Sequence, residues 1–559
     1  MKFKPLLLLA VFASFFYTKA SALSTDLIPV NLKTEYKTDP VTDAAKLRLS
    51  WELNSTVRGQ VQTAYQVMVA SSPELLANDK PDFWNSDKVK TNATNQVEYA
   101  GKTLQSRTGC FWKVRSWDKN GNVGNWSKIA KWEMGLLSKT DWKAEWIGND
   151  LNAFGKGKDY HLPPAPYFRK EAQIKPAVKR ARLYVTSLGL FEFQVNGKRI
   201  GKDHFTPGWT DYNKRVYYET YDITSSLKEG NNAFGAIISE GWYAGYIGYA
   251  LLIGNPVVKN FYGEVPLLKA QIEIEYLNGA KETIATDQTW KTNHGPIVEA
   301  DILNGETYNA NLEFNNWSNP GFNDSKWKNS RIYPDKQDRK IECYPGDPIR
   351  VFKELKAQTV TPRVGGKYIF DLGQNFAGVV RLKVKGNKGD TITLRYGEVL
   401  FPDSSLMTEN LRRARATDTY ILNGNPEGET WTPEFTYHGF QYVEVSGFRT
   451  APGLDAITGI VLGSSTPQVG TFETDNKMIN QLYHNITWTQ RSNYFDVPTD
   501  CPQRDERLGW TGDAQAYVKS ATFNTDISAF YNKWLVDLND AQRSNNAYPL
   551  YAPAPNVRS

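Results

Sequence analysis

The hydrophobic pattern of this chain changes period once. From about Ile28 to Gly463 apolar residues recur at every second position in short runs; after Thr466 they recur at steps of three and four. A strand shows alternate side chains to opposite faces and a helix repeats its face every 3.6 residues, so the chain must lay down sheets first and helices last. Its 559 residues are enough for three to four domains.

The first block, 28–137, holds short runs such as Lys46–Trp51, Tyr65–Val69 and Phe111–Trp117, and about a hundred such residues indicate a fibronectin-III-like or immunoglobulin-like sandwich. The turn Asp118–Asn122 invites comparison with a calcium loop. Gly121 is misplaced for one, however, and the twelfth position is Ile129 rather than Glu, so a plain hairpin turn is expected. A second β-rich block spans 167–345. In it, Gly241–Tyr246 places aromatics between glycines, readable either as a shallow sugar-contacting shelf with Trp242 and Tyr243 or as turn and core packing. A third block, 351–463, alternates most clearly in Val379–Val384 and Thr391–Tyr396, as a broad antiparallel sandwich would.

Three helical stripes follow within 467–559. They are Met478, Ile479, Leu482, Tyr483 and Ile486; Ala514, Tyr517, Val518 and Ala521; and Ile527, Phe530, Tyr531, Trp534, Leu535 and Leu538.

Composition narrows the partners. The net charge of +6 over this length is too dilute for a nucleic-acid binder. Aromatics make up 13% of the chain, with 17 Trp and 30 Tyr, which suits aromatic cores and also stacking on sugar rings. Met1 to Ala22 carries Lys2 and Lys4, an apolar run from Leu6 to Phe16 and the small-residue end Ala20-Ser21-Ala22. That is the pattern of a cleaved secretory signal, so a periplasmic or extracellular location is expected, with cleavage after Ala22. No stretch approaches the roughly 20 apolar residues of a membrane span. Cys110, Cys343 and Cys501 are odd in number and widely spaced, so neither a disulfide framework nor a metal-ligand cluster is expected.

The chemistry concentrates between the first two helical stripes, in Phe495–Asp513. Five carboxylates are interleaved there with two Arg, two Pro, two Gly and one Trp. A carboxyl crowded by other carboxylates against an aromatic wall retains its proton toward neutral pH and can act as a general acid. Arg504 and Arg507 would keep the neighbouring carboxylates ionised and oriented. The bland alternative is a surface loop in which Asp513 caps a helix starting at Ala514. Local physics does not separate Asp505 from Glu506 as the acid.

The string DVPTDCPQRDERLGWTGD, together with FDLGQNFAGVV, YGEVL and FTYHGFQYVEV upstream, closely resembles the bacterial α-L-rhamnosidases of glycoside hydrolase family 78. The resemblance covers nearly the whole chain after the signal segment. It implies a mainly β, multidomain chain: an immunoglobulin-like domain, an N-terminal rhamnosidase sandwich and a concanavalin-like sandwich, followed by the first helices of an (α/α)6 six-hairpin barrel. It implies hydrolysis of terminal α-L-rhamnosides with inversion, without a cofactor and without metal in the chemistry. Residue by residue, it makes Glu506 the general acid and makes Asp500, Trp510 and Asp513 sugar-binding residues, with Arg504 beside them.

Inversion needs a second carboxylate roughly 6.5–9.5 Å away to activate water, and the resemblance places that base far downstream. Fewer than a hundred residues follow Pro467, too few for twelve helices of about 11 residues each. The expectation is therefore of a barrel truncated within this sequence, with its base beyond Ser559 and apolar helix faces left without partners. The rival reading is a non-catalytic carbohydrate-binding protein in which the three β domains do the work.

Overall fold

A computed structural model describes residues 25–149, 162–249, 259–335 and 337–555. The signal-like segment Met1 to Ala22 lies outside the described residues. The chain divides into two compact units, the first comprising residues up to Pro40, Ala44–Leu104 and Thr108–Glu133, and the second essentially everything after Met134.

The first unit is immunoglobulin-like. Strands Ile28–Thr34, Arg48–Asn54 and Val97–Glu98 form one sheet, and Ala130–Met134, Gly109–Trp117, Ala64–Ala70 and Trp84–Asn85 lie side by side in the other. The alternating residues Leu49, Trp51, Val67, Val69, Trp112 and Val114 are all buried between them. Helix α1 (Pro73–Ala77) begins where Ser72 accepts a hydrogen bond from the Leu75 amide and proline occupies the first turn. At the Asp118 turn one carboxylate oxygen accepts the amides of Asn120 and Asn122, at 2.9 and 2.8 Å, while Gly121 takes a φ of +81°. The carboxylate is committed to its own backbone, as in an ordinary Asx-type turn.

The second unit opens with a sandwich of a six-stranded and a seven-stranded sheet. Phe168, Leu183, Val185, Phe193, Phe234, Ile272 and Trp290 fill the space between them. The Gly241–Tyr246 segment is neither strand nor shelf. Helix α2 (Gly241–Ala244) starts at a left-handed glycine, φ +50°, and Trp242 and Tyr243 are 4% and 7% exposed in the core. Trp242 stacks on Trp209 at 5.9 Å with ring planes 3° apart. Core packing therefore claims both rings.

The third β block is a ten-stranded sheet built around the 18-residue strand Lys367–Val384. That strand changes neighbours at an irregularity between Asp371 and Phe376. Its first half pairs with Thr359–Arg363, and its second with Ile457–Ser464 and Glu429–Trp431. One sheet can thereby turn over its own core of Phe370, Val380, Leu382, Leu394, Val443 and Val445. Two strands from the preceding block join it: Ile297–Asp301 pairs with Gly305–Asn309, which runs parallel to Thr417–Ile421. Pairing across distant segments leaves no mark in the local alternation of either.

Helices α3 (Lys477–Asn493), α4 (Thr511–Asn524) and α5 (Ser528–Asp540) complete the unit. Asn476 caps α3 by accepting the amides of Met478 and Ile479. Each helix keeps exposed apolar side chains: Met478 at 77%, Leu482 at 58%, Phe523 at 66% and Leu535 at 54%. Among the described residues no helix is long and apolar enough to cross a membrane.

Candidate active site

The loop between α3 and α4 is fixed at its start by a buried ion cluster. Tyr494–Phe495 and Val497–Pro498 pair as a minimal hairpin, with Asp496 left-handed at its tip, φ +66°. The Asp496 carboxylate accepts the Trp209 amide at 2.6 Å, the Tyr344 hydroxyl at 2.7 Å and the Lys533 ammonium at 2.7 Å. Gly208 is needed at this approach, since a Cβ there would stand 2.7 Å from an Asp496 oxygen. Lys533, fully buried on α5, also pairs with Asp537 at 2.9 Å, and Thr210 donates to the same carboxylate at 2.7 Å. Burial pushes Asp537 up to about 6, against the pull of Lys533.

Further along, the backbone closes on itself. The Asp500 amide donates to the Leu508 carbonyl, and the Leu508 amide donates to the Asp500 carboxylate at 3.1 Å. Arg507 departs from the expectation that it would orient carboxylates. Its backbone is left-handed, φ +54°, and its guanidinium turns inward to the carbonyls of Ile302 and Tyr437, at 2.9 and 2.8 Å, over the Tyr437 ring. It staples the loop to the β domains.

Glu506 is 5% exposed and is the focus of the cluster. One carboxylate oxygen accepts the Tyr249 hydroxyl; the other accepts Arg412 at 2.9 Å and Arg504 at 2.9 Å. Arg504 also reaches Asp500 at 3.3 Å, and Asp500 and Glu506 are hydrogen-bonded to each other. Burial alone would raise the Glu506 pKa, but the Tyr249 hydroxyl and the two guanidinium charges outweigh it and hold Glu506 below its ordinary value. Asp500 has fewer compensating donors. Burial first and the Glu506 charge second push it up to about 6.

The two carboxyls titrate as a pair, shifted upward at Asp500 and downward at Glu506, because both guanidiniums and the phenol converge on Glu506. Structure also separates Asp505 from Glu506: Asp505 is fully buried, with its pKa raised by that burial, and its carboxyl group makes none of the Glu506 contacts.

Trp510 is half-buried, edge-on to Tyr249 at 6.4 Å and to Tyr551 at 5.3 Å, and its indole N–H is buried without a hydrogen-bond partner. Asp513 is exposed in the first turn of α4, which begins at Thr511 rather than Ala514. A carboxylate there suits the helix dipole, but it makes no hydrogen bond to the Glu506 cluster. Of the five residues singled out in the sequence, Asp500, Arg504 and Glu506 share one hydrogen-bonded cluster, Trp510 reaches it through Tyr249, and Asp513 stands apart.

Two partners of Glu506 were not legible in the sequence. Tyr249 lies 257 positions and Arg412 94 positions upstream. The aromatic and glycine-rich run near Gly241 flagged the right neighbourhood for the first. Arg412 sits at φ +57°, ψ −112°, a sparsely populated conformation for a residue other than glycine. Oxygen and sulfur atoms of Asp500, Cys501 and Glu506 lie within 4.8 Å of one another. The donors nevertheless suit a cation poorly: burial pushes the Cys501 thiol up to about 12, and two guanidiniums already occupy Glu506.

Sheet domains thus come ahead of the three helices, and the carboxyl cluster sits in the loop between the first two of them. Four family models match in series. They are the Rha78A-like N-terminal immunoglobulin domain over 29–138, the alpha-L-rhamnosidase N-terminal domain over 176–353, the bacterial alpha-L-rhamnosidase concanavalin-like domain over 363–463 and the bacterial alpha-L-rhamnosidase 6 hairpin glycosidase domain over 467–559. The chain belongs to the bacterial α-L-rhamnosidase family.

It is 36% identical to an alpha-L-rhamnosidase of Streptomyces avermitilis over 93% of this chain and 65% of that protein. It is 38% identical to one of Formosa agariphila over 91% of this chain and 54% of that one. The crystal structure of the Streptomyces avermitilis enzyme complexed with L-rhamnose superposes with a TM-score of 0.88 at 35% identity, covering 94% of this chain and 66% of that one. The chain thus spans between about half and two thirds of the length of these relatives.

Proposed function

We propose that the protein hydrolyses terminal non-reducing α-L-rhamnose from glycosides with inversion, and that Glu506 delivers the proton to the departing glycosidic oxygen. The observation that carries this is the convergence of Tyr249, Arg412 and Arg504 on one enclosed carboxyl group that also touches Asp500. A side chain held from three directions is fixed in place before substrate arrives, which is what proton transfer in a transition state requires.

Two carboxyl groups sharing a site do not both ionise readily, so the Asp500–Glu506 pair holds one proton up to about pH 6. Asp500 stores it and Glu506 passes it on as the bond between the sugar's anomeric carbon and the leaving oxygen breaks. Water adds to that carbon from the opposite face and gives up its proton to a second carboxylate, which we assign to no residue described here. Asp500, Arg504 and Asp513 would bind rhamnose hydroxyls, and Trp510 would meet the apolar C6 methyl. The same reading puts the enzyme in the periplasm or outside the cell. N-terminal sequencing of the exported protein, expected to start at Leu23, checks that placement.

The test of the acid is its dependence on the leaving group. Glu506→Gln keeps the shape and removes the proton. Turnover of natural rhamnosides should fall by about 10²–10⁴, while a nitrophenyl α-L-rhamnoside, whose leaving group needs little protonation, should lose far less. Equal losses on both substrates would take the role away from Glu506.

A further inference from the structure

Tyr249, Arg412 and the loop stapled by Arg507 come together at Glu506 from distant parts of the chain. All three run past one buried carboxylate that the proposed reaction leaves unused. Asp301, at the end of the strand Ile297–Asp301, is 1% exposed. One of its oxygens accepts the Leu303 amide at 3.0 Å and both the backbone and the side-chain amide of Asn304 at 2.9 Å. The other accepts the Tyr246 amide at 2.9 Å. Four N–H donors from two segments are thereby tied to one rigid group.

Each contact leads to Glu506 by a short route. Tyr246 lies three residues before Tyr249, whose hydroxyl donates to Glu506; between them Gly248 passes so near the site loop that a Cβ there would stand 3.4 Å from Leu508. The turn after Asp301 offers the Ile302 carbonyl to the Arg507 guanidinium at 2.9 Å. Asn304 accepts the Arg415 amide on its side chain at 3.2 Å, and its carbonyl accepts the Arg415 guanidinium at 3.2 Å and the Thr417 amide at 3.1 Å. Arg412, the donor to Glu506, is three residues before Arg415. Apolar contact closes the same junction, with Tyr246 packed on Leu303 and Ala414. A buried acceptor shared by several segments fixes their relative positions, because moving one of them leaves a buried polar atom unsatisfied.

We propose that Asp301 is a positioning residue for the proton donor, holding Tyr249, Arg412 and the Arg507-stapled loop in register around Glu506. The inference rests on the proposed role of Glu506. Asp301 acts through these three groups and not on the sugar, so its loss should slow the step that needs the proton and leave binding nearly intact. Asp301→Asn keeps the shape but turns an NH2 group toward N–H donors on one side or the other, so at least one of the contacts is lost.

The experiment measures kcat and KM for wild type, Asp301→Asn and Glu506→Gln on a natural rhamnoside and on a nitrophenyl α-L-rhamnoside, with the folded fraction of each taken from its thermal melt. Asp301→Asn should lower kcat on the natural rhamnoside by about 10- to 100-fold, the scale of a small misplacement of a reacting group, with KM within about twofold. Its loss on the nitrophenyl compound should be several-fold smaller. A residue that only supports the fold would lower the folded fraction and affect both substrates alike. Asn304→Ala removes the acceptor of the Arg415 amide and one donor to Asp301; it should repeat the pattern at smaller size, and it carries the test if Asp301→Asn does not fold. Equal loss on both substrates, or no loss, beside a Glu506→Gln that spares the nitrophenyl compound would overturn the positioning role and leave the acid standing. Equal losses in Glu506→Gln, or no release by wild type from either substrate, would overturn both.

Discussion

The core of the concanavalin-like domain and the loop between α3 and α4 are both thoroughly buried, yet they are buried by opposite means. In the first, Phe370, Val380, Leu382, Leu394, Val443 and Val445 are removed from water with no polar atom to satisfy. In the second, Asp496, Asp505, Glu506 and Arg507, with Lys533 reaching in from α5, are each at most 5% exposed, and Asp496, Glu506 and Arg507 are held by charges and hydrogen bonds. An apolar core is stabilised by area and tolerates exchange of one hydrocarbon for another. A buried ionic cluster gains little net stability, but it fixes directions, and removing one member strands the others. The lesson is that this molecule keeps its stability in the sheets and its precision in the loop.

The sharpest way to break that contrast is to remove one group from each region and compare denaturant midpoints. Lys533→Ala leaves Asp496 and Asp537 buried without their cation and should cost about 3–5 kcal/mol. It should also loosen the start of the site loop, so that activity falls faster than folding. Leu382→Ala should cost about 2–5 kcal/mol by transfer and cavity terms and leave rhamnoside turnover of the folded fraction near wild type. If Lys533→Ala were neutral for both stability and turnover, the ionic anchor would have no role.

How far the sequence could be read follows the same division. Period-2 runs such as Val379–Val384 and the helical stripe Ile527–Leu538 reported their structures because each records a local face against a core. The loop string located the carboxyl cluster, and through its family resemblance singled out Glu506. It could not show how the two carboxyls of the pair are shifted, because Tyr249 and Arg412, which bear on Glu506, arrive from the two sandwich domains. Nor could it show that Arg507 serves the backbone carbonyls of Ile302 and Tyr437 rather than the acids. The Gly241–Tyr246 segment left two readings open, since aromatic residues chosen for core packing and for sugar contact look alike in composition, and the burial of Trp242 and Tyr243 decides for the core. Long-range polar contacts have no periodicity to leave behind.

The two β domains are therefore part of the chemistry if the account is right, and Arg412 is where that is most exposed to test. Activity requires the Asp500–Glu506 pair to carry a proton, so kcat/KM should fall as pH rises through about 6. Arg412 stabilises the ionised form from 2.9 Å. Replacing it by alanine should favour the protonated form and move that alkaline limb upward by about one pH unit, with Arg412→Lys moving it less. The measurement is the pH profile of kcat/KM for wild type and Arg412→Ala on one rhamnoside. An upward shift is the predicted result; an unmoved or downward-shifted limb would contradict the claim that the sandwich domains set the proton of the catalytic pair.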